Sequence, residues 1–147
     1  MQLIDFQDKI GASRRDIENW QARIPGMGGF TTTFEATRRG VPRDYSKENV
    51  IELAFIAAFV RVGCELSKAR AFSGGLIRQL RTGHLRDWLV IPAPDFASAT
   101  GTADIAGTDF AEVARGSDCS AVTVIHAAGI VGKINDMFAA HSEASKA

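Results

Sequence analysis

Apolar positions recur at helical spacing through the first 81 residues and at strand-like density after residue 88. Leu3, Ile4, Phe6 and Ile10 fall at i, i+1, i+3 and i+7, which predicts a short helix over 3–10 ended by Gly11. Ser13 is a good N-cap for a second helix over 14–24, with Ile17, Trp20 and Ile24 on one inward face and Pro25 and Gly26 as its stop. A flexible GMGG loop (26–29) follows. The Phe- and Thr-rich run 30–37 suits a strand, 38–40 a turn, and 41–45 a short return strand that Pro42 confines to a sheet edge. Together these segments predict a small hairpin with a basic tip.

Ser46 caps the next helix. Over 47–62, Val50, Leu53, Ala54, Ala57, Ala58 and Val62 keep a 3.6-residue period, widened by Ile51, Phe55, Ile56, Phe59 and Val60. A helix apolar on so much of its circumference should be the most buried element. Gly63 ends it. Ser67 is the expected N-cap of a fourth helix running to about Arg81. Gly74 and Gly75 lie inside that helix at roughly 1 kcal/mol each relative to Ala, which marks a kink or a close contact. After a connector at 82–85 the texture changes. Residues 88–94, 96–102 and 121–127 read as strands, 109–115 as strand or helix, and 130–140 as a helix followed by a frayed tail from His141. The expected class is α+β: a mostly helical unit over 1–82 carrying a β-hairpin wing, then a small strand-rich α+β lobe over 86–147.

Charge sharpens this division. The 147 residues are neutral overall, yet residues 1–81 hold 13 Lys/Arg against 9 Asp/Glu, a balance of +4. Residues 82–147 hold 4 against 8, a balance of −4. A basic half can track phosphates, whereas an acidic half is repelled by them. No apolar run approaches the ~20 residues of a membrane span. The N-terminus lacks the layout of a secretion signal. Cys64 and Cys119 form no CxxC and read as reduced thiols of a cytoplasmic, nucleoid-associated protein.

The order helix, tight turn, helix, basic hairpin, helix, helix is that of a winged helix-turn-helix. The second helix of such a unit enters the major groove with its N-terminal residues foremost. Here those are Ser13, Arg14 and Arg15, and arginine's fork of donors matches guanine edges or phosphate oxygens. Arg38, Arg39 and Arg43 cluster about the predicted hairpin turn, where a wing follows the sugar-phosphate backbone. Three arginines alone read equally well as a solvated face; the order of elements around them favours the wing.

Two stretches, KIGASRRDIENWQARI (9–24) and VPRDYSKENVIELAFIAAFVRVGCELSKARA (41–71), resemble the DNA-binding domain of the MerR family. Residues 9–24 are similar to that family's turn and recognition helix. Residues 41–71 are similar to its Arg-x-Tyr-Ser wing exit, here Arg43, Asp44, Tyr45 and Ser46, followed by two helices joined around a Gly. The resemblance implies a winged helix-turn-helix with Arg14 and Arg15 against DNA and Tyr45 near a phosphate. It covers a little over half the chain. Glu18 and Asn19 depart from it, because the family often has a basic residue there. Pro92, Pro94 and the β-branched runs exclude the family's long dimerising helix after residue 88, and its metal-sensing cysteines have no counterpart.

Other chemistry finds little support. His84, His126 and His141 are scattered, without HxxxH or CxxC spacing, so no metal or other cofactor is expected. Cys64 has no identifiable base beside it. GMGG lacks the ending of a phosphate-binding loop. Trp20 and Trp88 read as core, and Asp104, Asp109, Glu112 and Asp118 match no calcium loop. The expectation is therefore a non-enzymatic, sequence-specific regulator that binds double-stranded DNA as a homodimer. Its acidic lobe would serve dimerisation or a protein or small-molecule partner. Two other readings stay open: an excisionase- or packaging-like architectural factor of a phage or mobile element, and an antitoxin-type DNA-binding protein whose C-terminal lobe holds a partner.

Overall fold

Capping chemistry sets the ends of the first helices. In the computed structural model, which describes residues 1–22, 29–36, 39–93, 96, 98–117 and 119–146, α1 spans Leu3–Ile10. Gly11 closes it at φ 71°, a left-handed conformation that costs glycine nothing. Helix α2 spans Arg14–Gln21, opened by a capping box between Ser13 and Asp16. It stops short of residue 24, with Ala22 as its C-cap; residues 23–28, including almost all of the GMGG loop, lie outside the described set. Helix α3 (Lys47–Arg61) opens with a second box, between Ser46 and Asn49.

Helix α4 covers Leu66–Arg81, and its start corrects the expectation. Glu65 holds the N-cap position without a side-chain bond, and Ser67 lies in the first turn. Gly63, at φ 92°, completes the turn out of α3 so early that Leu66 already packs against the core as a helical residue.

The acidic half forms β1 (Trp88–Ala93), β2 (Thr100–Thr102), α5 (Phe110–Gly116), β3 (Ala121–His126) and α6 (Ala127–Ala144). Six helices and one three-stranded antiparallel sheet, ordered β2-β1-β3, make an α+β fold among the described residues. β1 pairs with β3 from Trp88↔His126 to Ala93↔Ala121, and with β2 from Trp88↔Thr102 to Val90↔Thr100. The ambiguous run around 110 is helical, its N-cap Asp109 accepting the Glu112 amide at 2.9 Å. Helix α6 starts earlier and ends later than expected. Ala127 is fully buried at its start, the Ala128 amide donates to Asp87 O at 3.1 Å, and the end predicted to fray is continued to Ala144 by good helix formers.

Helix α3 is the centre of the core. Val50, Leu53, Phe55, Ile56 and Phe59 are all 0% exposed. Helices α1, α4 and α6 pack against it, so one buried cluster runs from Phe6 through Ile77 and Ile91 to Ile134. Among the described residues no helix is long and apolar enough to cross a membrane.

The expected hairpin does not form. Among the described residues, 30–36 contain no strand, and 41–45 contribute only an isolated antiparallel bridge from Asp44 to Gln2. The cause lies in α3. The amides of Thr31 and Thr32 donate to the two oxygens of Glu52, each at 2.8 Å, and the Thr32 hydroxyl donates to Glu52 at 2.5 Å. Asn49 Nδ2 donates to Thr32 Oγ1 at 3.0 Å and to the Thr33 carbonyl at 3.1 Å. Backbone groups that a partner strand would need are thus held by two buried polar side chains. Gly74 lets this segment lie close: a Cβ there would stand 2.5 Å from Thr31 Oγ1.

Candidate nucleic-acid interface

Helices α1 and α2 are joined by Gly11, Ala12 and Ser13, and their inward faces bury Phe6, Ile10, Ile17 and Trp20. That packing leaves Arg14, Arg15, Glu18 and Asn19 on the outside of α2. Arg14 Nε donates to Glu18 Oε1 at 2.7 Å, with both side chains more than half exposed. This hydrogen bond and the carboxylate charge raise the Arg14 guanidinium above its ordinary pKa. Ser13 is occupied as a cap. Its hydroxyl donates to Asp16 Oδ2 and accepts from the Asp16 amide, and these bonds hold the Asp16 carboxyl below the usual range.

Residues 39–45 form an extended arm beside α1. Gly40, at φ 76°, turns the chain. The Tyr45 amide then donates to Met1 O at 2.8 Å, and the Met1 amine lies 3.5 Å from Asp44. The resemblance placed Tyr45 at a phosphate, but its ring is only 5% exposed. It meets Phe6 edge-on at 5.0 Å, and its hydroxyl donates to Gln21 Oε1 at 3.2 Å. In this fold Tyr45 fastens the arm to α1 and α2.

Between the arm and the two helices lies a cleft of ≈ 920 Å³. Arg14, Arg39, Arg43 and Tyr45 line it, so four of the residues singled out from the sequence meet at one place. Ser13 and Arg15 do not line it, and Arg38 lies outside the described residues. Glu18 is the one carboxylate among the described lining residues. The cleft also presents Ile4 and Val41, 77% and 58% exposed, neither of which the sequence pattern marked out. The i, i+4 spacing of Arg14 and Glu18 was the available sign of their pairing.

Elsewhere the chemistry is structural. Cys64 is buried, and that burial pushes its thiol pKa up, away from a nucleophile's. Trp20 is core, while Trp88 is half-buried and stacks on His126 with ring centroids 4.0 Å apart. No group of His, Cys, Asp or Glu among the described residues has the arrangement of a metal site. No family model, curated protein or solved structure matches the chain.

Proposed function

We propose that the chain is a sequence-specific regulator that binds double-stranded DNA, with α2 in the major groove and the 39–45 arm against the backbone. The observation that carries this reading is the convergence of Arg14, Arg39 and Arg43 on one open cleft beside the exposed face of a helix that follows a three-residue turn. Three guanidinium groups on one side of a short helix supply the phosphate-directed charge that duplex binding needs. The basic half thereby works as a MerR-like unit in which a non-paired arm takes the place of the hairpin wing. A single module of this size offers a small interface, so the chain acts as a homodimer on a two-fold site, its acidic half supplying the contact between copies or with a partner.

Electrophoretic mobility shift against genomic fragments at ~50 mM salt, where phosphate contacts are strongest, tests the proposal. A shifted complex that sharpens to discrete fragments under competitor DNA is the expected result. The absence of any complex would overturn it.

A further inference from the structure

Glu18 is out of place in a purely phosphate-gripping cleft. It is the one carboxylate among the described lining residues, it is exposed, and its charge repels a polyanion. Helix stability does not explain it. An exposed i, i+4 pair adds little in water, and Arg followed by Glu is the less favourable order along a helix. What the pair does achieve is orientation. Arg14 Nε is committed to Glu18 Oε1, which turns the other edge of the guanidinium, the two Nη groups, outward. Glu18 Oε2 accepts no protein donor among the described residues. The result is a rigid edge with two donors and one acceptor, carried on an outward position of α2.

We infer that Arg14 and Glu18 form one base-reading unit, and that Glu18 is the specificity-determining residue of the cleft; this rests on the DNA-binding reading above. The major-groove edge of a G·C pair presents two acceptors on guanine, N7 and O6, and one donor, the exocyclic amine of cytosine. The Nη edge of Arg14 supplies the donors for N7 and O6. Glu18 Oε2 supplies the acceptor for a cytosine amine in the same or the adjacent pair. A carboxylate there also repels phosphate, which penalises non-specific docking and widens the gap between right and wrong sequences. Arg39 and Arg43, across the cleft, provide the sequence-independent grip.

The test is selection of binding sites from a randomised duplex library with the full chain, followed by affinity measurement on the selected and on unrelated duplexes. Wild type should enrich a motif containing a G·C pair. Glu18→Ala should still bind duplex, bind unrelated sequence more tightly than wild type, and lose discrimination at that pair by about tenfold. Glu18→Gln, whose carboxamide matches adenine, should move the preference at that pair towards A·T. In an Arg14→Ala background, Glu18→Ala should cause no further loss at the same pair. An unchanged thermal midpoint is expected for each variant, since both side chains are exposed. Unchanged motif and discrimination in Glu18→Ala would overturn the inference while leaving DNA binding intact. Wild-type binding without sequence preference would do the same. Failure of wild type to bind any duplex would instead overturn the reading beneath it.

Discussion

Replacing Glu52 with Ala probes how the segment ahead of the arm is held in place. The residue is 1% exposed and accepts three hydrogen bonds, from the Thr31 amide, the Thr32 amide and the Thr32 hydroxyl. Bonds to a charged acceptor contribute about 1.5–3 kcal/mol each, and each buried donor left alone costs about 1–3 kcal/mol. Against this, removal relieves the burial of an ion, itself a cost of several kcal/mol. The orphaned amides decide the sign, because Ala offers them nothing and Asn49 reaches only the Thr32 hydroxyl and the Thr33 carbonyl. A net loss of about 2–4 kcal/mol follows. Glu52→Gln keeps one acceptor oxygen, leaves one backbone donor facing an amide N–H, and should cost about 1–3 kcal/mol. Urea unfolding should show a lower midpoint at unchanged slope. Amide exchange should show Thr31 and Thr32 losing protection before the α3 amides do. A loss below about 0.5 kcal/mol, with both threonine amides still protected, would refute the reasoning.

Tyr45→Phe removes a hydroxyl that donates to Gln21, so it should cost about 1 kcal/mol of stability and leave duplex affinity nearly unchanged; a tenfold affinity loss at unchanged stability would return Tyr45 to the DNA surface. Arg39→Ala should weaken binding almost uniformly across sequences and lower the salt slope by about one, whereas Arg14→Ala should weaken the best sites most, as equilibrium titrations at several salt concentrations would reveal. Arg81 donates two hydrogen bonds to Glu48, at 3.1 and 2.7 Å, and holds its carboxyl below the ordinary range. The stabilising contribution is complete above that ordinary range and disappears as pH falls through the lowered folded value. Glu48→Gln should therefore cost at most about 1 kcal/mol near neutral pH for so exposed a pair, and nothing in acid; an equal loss at both pH values would contradict the assignment.

Elements whose causes are local were legible in the sequence. The Ser13 and Ser46 caps, the glycine after α1 and the broad apolar period of α3 are each decided within a few residues, and β1 and β3 announced themselves by β-branched density. The hairpin was not legible. FTTTFEAT has a strand's composition, but its hydrogen bonds go to Asn49 and Glu52, about 20 residues further on, and no local pattern encodes that choice. Tyr45 misled for a related reason: an aromatic in an Arg-x-Tyr-Ser motif has the same letter whether its hydroxyl meets a phosphate or Gln21. The arginines of the cleft could be selected from charge alone, but their gathering there, and the pairing that turns Arg14, depend on how the arm folds back on α1.

Helix α3 has a practical consequence for anyone handling this chain in pieces. It serves as a party wall: α1 and α4 lean on it from the basic half, while Ile130, Val131, Ile134, Met137 and Phe138 of α6 belong to the same apolar cluster from the acidic half. A fragment trimmed near residue 82 would carry a hydrocarbon stripe stripped of its cladding. In water such a stripe favours clumping, so that fragment's failure to behave would say more about the missing cladding than about its capacity to grip a duplex.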